Sequence, residues 1–279
     1  MKALPATHDL RPSATVMAAL GADPTTLELL PGLTGGAWLL QTSRGADRVL
    51  TRAGVAQAEA AQIAAQCNVG PRVFDYVDGW LVCERLVGTH LTSLELRRPV
   101  VLRDLAALLA RMHASPVVLP VVPMIDSRQQ YAAAAGDRVP PMVRRAIEWA
   151  DEVERDLHTA TDRWVPAHLD VVANVLLTDR GLRLIDFEYA RSAPPARELG
   201  QVIWEGELDR RAADRLVSNY QAGVEVGDEA QVAAAATWCA LSAITWTVWA
   251  LARPGPEMQR YARRSWERLA SHWARPPGL

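Results

Sequence analysis

Short apolar runs set two different rhythms along the chain. "AWLLQT" (37–42) and "RVLTRA" (48–53) read as two strands joined by the turn-like "SRGAD". Just before them, "PGLTGGA" is a small-residue loop with three glycines. "GVAQAEAAQIAAQC" then reads as a helix, since Ala favours that state and Gln tolerates it well. "RVFDYV" and "WLVCERL" form a second strand pair around Asp78-Gly79, an Asp-Gly hairpin signal. Beyond Gly88 the period changes. Leu102, Leu105, Leu108, Leu109 and Met112 recur at the spacing of a core-facing helix, and a second helix starts after Pro140-Pro141. "NVLLT" and "LRLIDF" interrupt as a hairpin around Asp179-Arg180-Gly181, and helices are expected at about 197–206, 208–222, 229–253 and 256–273. Strands first, helices after, with one hairpin inserted: this predicts an α+β chain of two lobes, 1–87 and 88–279.

Composition narrows the function classes. The chain is 49% hydrophobic and 22% charged, ordinary globular values. A net charge of -2 gives no electrostatic footprint for nucleic acid. Cys67, Cys83 and Cys239 make neither a zinc pattern nor a disulfide framework, so a reducing cytoplasm is the expected setting. The N-terminal stretch lacks the apolar core of a signal peptide. Residues 230–252 carry no charge and are long enough to cross a bilayer. They are mostly Ala, with Gln231, Thr237, Ser242, Thr245 and Thr247, so a buried helix is the reading and no membrane partner is expected.

The polar residues supply the chemistry. No G-x-x-x-x-G-K-[ST] loop and no dinucleotide fingerprint is present. The other way to handle nucleotide phosphates is the kinase layout: glycine-rich loop, strand base, helix acid, catalytic Asp with a following Asn, then a metal-binding Asp. Candidates occur in that order. Thr34, Gly35 and Gly36 can close over phosphates, because small residues let backbone amides approach an anion. Arg52 ends the third-strand position. Glu59, on the next helix, is either an exposed acid or the strand base's ion-pair partner. Asp170, Asn174 and Asp186 follow.

"HLDVVANVLL" with "GLRLIDFEYA" resembles the catalytic segment of the aminoglycoside phosphotransferase and choline kinase superfamily: His-x-Asp, then Asn, then a hydrophobic strand and Asp-x-Glu. Within it the likeness is to bacterial thiamine kinases, through "GLTGG", the third-strand Arg, "LIDFEYA" and a Trp-rich helical end, from about Pro31 to Trp273. The resemblance implies a protein-kinase-like two-lobed fold, a small sheet-rich N-lobe and a larger helical C-lobe, with ATP and Mg2+ as cofactors. It implies that Asp170 takes or orients the acceptor hydroxyl's proton, that Asn174 and Asp186 hold magnesium, and that His168 hydrogen-bonds the loop backbone. The backbone from Glu84 to Leu86 would meet adenine. Glu188 is either a second carboxylate near the metal or a contact to a cationic substrate. The implied reaction is transfer of the ATP γ-phosphoryl group to a primary alcohol of a small cationic molecule. Thiamine is first, a choline, ethanolamine or aminoglycoside kinase the runner-up, and a catalytically weak pseudokinase the reading from another class.

Two departures from the pattern stand out. Arg52 replaces the usual Lys in a chain whose only lysine is Lys2, and a guanidinium fork also binds phosphate oxygens. Asn174 lies four residues after Asp170 where the family has five, yet keeps the family distance of twelve from Asp186. Six of the ten tryptophans lie after residue 200. Trp238, Trp246 and Trp249 fall within about 80° of one another on a helix, a core stripe first and a cation-binding aromatic face second. Trp204 and Glu205, on the helix after the metal strand, are the better candidates for an acceptor pocket. His113 reads as a packed helix-end histidine.

Overall fold

A computed structural model of the chain describes residues 11–21, 27–30, 37–41, 47–224 and 234–272. Internal contacts divide it into two compact units: Met1–His90 with Asn174–Ala190, and Leu91–Ala173 with Arg191–Leu279. The hairpin assigned by sequence to the helical lobe groups by its contacts with the sheet-rich unit.

In the first unit, β1 (Leu27–Leu30), β2 (Ala37–Leu40), β3 (Arg48–Arg52), β4 (Val73–Val77) and β5 (Trp80–Glu84) form a sheet in the order β1-β2-β3-β5-β4. Every neighbouring pair is antiparallel. Side chains alternate across a strand, so Leu40, Leu50, Trp80 and Val82 share one face, where they pack with Val16 and Met17 of α1 (Ala14–Ala19). The β4–β5 turn is the expected Asp-Gly hairpin, with φ of +49° at Asp78 and +74° at Gly79. A side chain at 79 would be strained and its Cβ would come within 2.8 Å of Arg52 Nη1. The helix α2 (Val55–Gln66) buries Ala58, Ala60, Ala61, Ile63 and Ala64. A second antiparallel sheet, β6 (Gly88–His90), β8 (Val175–Thr178) and β9 (Gly181–Leu184), follows the order β6-β8-β9. The Leu184 N–H donates to the Val69 carbonyl just past α2, at 2.7 Å.

The second unit is helical: α3 (Ser93–Leu96), α4 (Pro99–His113), α5 (Met124–Ala135), α6 (Pro141–Ala160), α7 (Pro195–Glu205), α8 (Arg210–Ala222), α9 (Ala235–Leu251) and α10 (Pro256–His272). A short ladder, β7 (Val165–Ala167) against β10 (Arg191–Ala193), lies among them. α9 accounts for the charge-free stretch. It packs against α5, α6, α7 and α10 and is buried on most of its circumference. Among the described residues no helix is long and apolar enough to cross a membrane. α7 meets α9 at Gly200, whose hypothetical Cβ would sit 2.6 Å from Cys239 N and 2.6 Å from Trp238 Cβ, so only glycine allows this approach. The core also holds a polar cluster. Arg128 donates to Asp151 and Glu154, at 2.7 Å each, and to Thr245 at 3.0 Å. Such a cluster is costly to break by halves because it leaves a buried charge alone.

Candidate active site

The segment His168–Asp170 follows β7 directly, and the second unit holds it from beneath. Leu169 has φ of +61°, a left-handed conformation that Leu rarely adopts and that costs about 1–2 kcal/mol. Three contacts hold it there. Its side chain packs between Ala167 and Ala193. Its N–H donates to Glu198 Oε1 at 2.8 Å, as does the N–H of His168. Its carbonyl accepts from Gln201 Nε2. Glu198 stands in the first turn of α7, where an anion is favoured, and is fully buried. Its second oxygen meets His113 Nε2 at 2.5 Å, and His113 Nδ1 meets the Tyr220 hydroxyl at 2.8 Å. Burial alone would raise the Glu198 pKa. The bond and charge of His113 with the Leu169 N–H outweigh it, and the carboxyl is held below its ordinary value. His168 is buried, and its Nδ1 accepts from the Asp170 N–H at 3.2 Å, a loop-bracing role. Asp170 itself is half-buried.

In the first unit, Asn174 precedes β8 and Asp186 follows β9. Val175 pairs with Leu184, and the Ile185 N–H donates to the Asn174 carbonyl at 3.0 Å. The two residues therefore occupy the same open end of the hairpin. Asp186 is exposed with φ of +58°, a conformation Asp tolerates better than most residues. An amide and a carboxylate are hard oxygen donors. Among the described residues no group of three or more His, Cys, Asp or Glu could hold a metal ion. Two side-chain oxygens suit magnesium, which binds through one or two carboxylates together with substrate phosphates.

The other candidates are scattered more widely. Thr34, Gly35 and Gly36 lie outside the described residues. Arg52 is exposed on the α1 face of the sheet, where it donates to the Asp78 carbonyl at 2.9 Å and lies 5.0 Å from the centre of the Trp80 ring. It forms no ion pair with Glu59, which is exposed on α2. Glu84 accepts from the Arg72 N–H at 3.2 Å and pairs with Arg180 at 2.7 Å. Its partial burial opposes ionisation, and those bonds win, so its pKa is lowered. Leu86 lies between β5 and β6, outside both ladders. Glu188 is exposed two residues past Asp186.

Trp204 is buried, and the Arg268 guanidinium lies 4.3 Å from its ring centre. Glu205 accepts from Gln201 Nε2 at 2.8 Å and from the Val172 N–H. Its pKa is pushed up to about 8, first by burial and then by the charge of Asp170. A cavity of about 90 Å³ opens there, lined by Trp204, Glu205, Tyr261, Arg264, Ser265 and Arg268 among others.

The family model described as "Phosphotransferase enzyme family" matches residues 21–234. The chain belongs to this family. Thiamine kinase of Salmonella paratyphi B is 31% identical over 158 residues, 56% of this chain and 53% of that protein. The chain thus matches about half the length of such curated relatives. The choline/ethanolamine kinase family protein of Mesorhizobium loti superposes with a TM-score of 0.73 at 22% identity, over 92% of this chain and 93% of that one. Choline kinase LicA of Streptococcus pneumoniae gives 0.69 at 19% identity, over 92% and 96%, and has also been solved with AMP. The kinase-like α+β fold expected from the sequence is therefore the fold of this family member.

Sequence reasoning missed Glu198 and Gln201. A signal for the first existed, since "PPARELG" puts an acid in the first turn of a helix that continues through Leu199, Val202, Ile203 and Trp204, and a buried acid needs partners. Nothing local marks Gln201, because its carbonyl partner, Leu169, is 32 residues away.

Proposed function

We propose that this phosphotransferase moves the γ-phosphoryl group of ATP to the primary alcohol of a small cationic molecule in the cytoplasm, with thiamine the first candidate. The observation that carries the proposal is that Asn174 and Asp186 stand at the same open end of the β8–β9 hairpin, where Val175 pairs with Leu184 and the Ile185 N–H donates to the Asn174 carbonyl. Their hard oxygens would hold magnesium, which neutralises charge on the nucleotide phosphates. Asp170 orients the acceptor hydroxyl and takes its proton. Phosphoryl transfer has a loose transition state, so the demand on Asp170 is placement more than basicity, and the Glu198 cradle answers that demand. The Glu84–Leu86 backbone serves adenine, Thr34, Gly35 and Gly36 serve the phosphates, and Arg52 joins them by leaving its hairpin contact. Glu59 and Glu188 assist from exposed positions. Glu205 faces the acceptor. The thiamine kinase likeness favours thiamine, while the solved neighbours keep choline and ethanolamine as the second reading.

The test is magnesium-dependent ADP formation with thiamine, choline, ethanolamine and an aminoglycoside in parallel. Thiamine-dependent ADP formation is expected. A faster rate with choline moves the assignment to the second reading. ADP formation with none of them, despite nucleotide binding, makes the chain a pseudokinase.

A further inference from the structure

Arg268 reaches from α10 to the last turn of α7, and its contacts there include three tethers. Its guanidinium covers the Trp204 ring at 4.3 Å, its Nη2 donates to the Trp204 carbonyl at 2.9 Å, and its Nη1 pairs with Glu207 at 3.3 Å. The cavity it lines also holds Glu205. Gln201 Nε2 donates both to Glu205 and to the Leu169 carbonyl, so this cavity is bonded to the loop that carries Asp170. The Trp204 face beside the Glu205 carboxyl is thus already covered by a cation belonging to the chain.

We propose that Arg268 is a specificity-determining residue of the acceptor pocket, occupying on Trp204 the place that a cationic acceptor takes by displacing it. The inference rests on the acceptor site described above. Two cations cannot share one ring face beside one carboxyl, so binding of a charged acceptor competes with the arginine, whereas a neutral alcohol does not. The displacement is mechanically open. Arg268 is one-quarter exposed and Glu207 is half exposed, so the guanidinium can leave Trp204 for solvent by giving up its pair with Glu207.

Equilibrium binding separates the cases without requiring turnover. The probes are thiamine and the neutral hydroxyethyl-methylthiazole that carries thiamine's alcohol arm, each titrated into protein loaded with magnesium and a non-hydrolysable ATP analogue. Arg268→Met, which keeps an apolar stem, is expected to bind thiamine about 5- to 10-fold more tightly, the scale of a partly exposed cation–π contact. Its affinity for the neutral probe stays unchanged, and Arg268→Lys, whose ammonium stacks less well on the ring, gains less for thiamine than Arg268→Met does. Equal shifts for both probes, a loss for thiamine, or no binding of thiamine by any form overturns the proposal. If Arg268→Met does not fold, Glu207→Gln decides: a gain for thiamine alone supports competition, and no gain overturns it. Charge-selective gain in a protein that forms no ADP would leave this inference standing and remove the assigned reaction. Thiamine turnover indifferent to Arg268 would do the reverse.

Discussion

Replacing Glu198 by Ala and by Gln tests whether the buried carboxylate places the loop that carries Asp170. The alanine variant removes the acceptor of three bonds, from His113, His168 and Leu169, all of them buried. Each stranded donor costs about 1–3 kcal/mol, and removing one member of a buried charged cluster costs about 3–5 kcal/mol. Because the stranded groups are shared between these two accounts, they are not added, and 3–5 kcal/mol is the expected loss. In a chain of this size that is roughly 6–20 °C in Tm. Gln keeps an oxygen for the two backbone donors and presents an amide to His113. The imidazole can answer as the tautomer with its proton on Nδ1, which faces a hydroxyl able to accept. The glutamine variant should therefore lose only about 1 kcal/mol, an ordinary hydrogen-bond value. The sign with pH follows from the lowered Glu198 pKa. Its stabilisation is present above the unfolded value of about 4.3 and is lost as pH falls through the lower folded value. The parent's advantage over the Gln form should accordingly shrink below about pH 4. Urea unfolding followed by tryptophan fluorescence, repeated across pH, measures all of this, and single-turnover rates report on Asp170. An Ala form that melts within about 1 °C of the parent, well inside the range above, would show that Leu169 holds its conformation without Glu198 and would refute the reasoning.

Asp170→Ala should slow phosphate transfer by about two to four orders of magnitude, the range of a positioned acid–base group; unchanged single-turnover rates would remove Asp170 from that role. Asp186→Ala should abolish magnesium-dependent nucleotide binding measured by calorimetry, and retained binding would move the metal elsewhere. Gly200→Val should destabilise by at least about 1–3 kcal/mol through overpacking against α9, read by denaturant midpoint. Glu205→Gln tests a raised pKa of about 8. A raised carboxyl stabilises fully below its unfolded value and loses that stabilisation as pH rises through the folded one. The Gln form should therefore gain on the parent in melting temperature between about pH 4.3 and 8, and a constant difference would contradict the burial argument.

Long periodic elements were legible in the sequence, and short ones were not. The leucine spacing placed α4, the Pro140-Pro141 start placed α6, and Asp78-Gly79 placed the β4–β5 hairpin. β6, β7 and β10 have three residues each, too few to show alternation, and they exist because distant strands pair with them. α5 carries little apolar contrast around its circumference, and its buried Arg128 reads from sequence as an exposed charge until Asp151 and Glu154 of α6 are seen beside it. In the site the same division holds. Contiguous motifs such as "HLD" and "IDFEYA" were readable, while the contacts that give "HLD" its shape come from α4, α7 and α8.

Tryptophan content is a poorer guide to a cationic substrate than it first looks. Among the described residues, which include nine of the ten tryptophans, five rings have a guanidinium of the same chain over them: Trp38 with Arg11, Trp80 with Arg52, Trp204 with Arg268, Trp238 with Arg197 and Trp249 with Arg253. A planar, weakly hydrated guanidinium stacks on an aromatic face better than an ammonium does, so a chain with one lysine and many arginines tends to fill its own aromatic surfaces. The two compositional oddities of this sequence, its arginine bias and its tryptophans, then have a common cause in packing. A ring so occupied contributes to acceptor recognition only to the extent that its arginine can be moved. On the acceptor site proposed above, that puts the weight of selectivity on Arg268, the one of these five arginines that lines the Glu205 cavity, rather than on the number of aromatic rings.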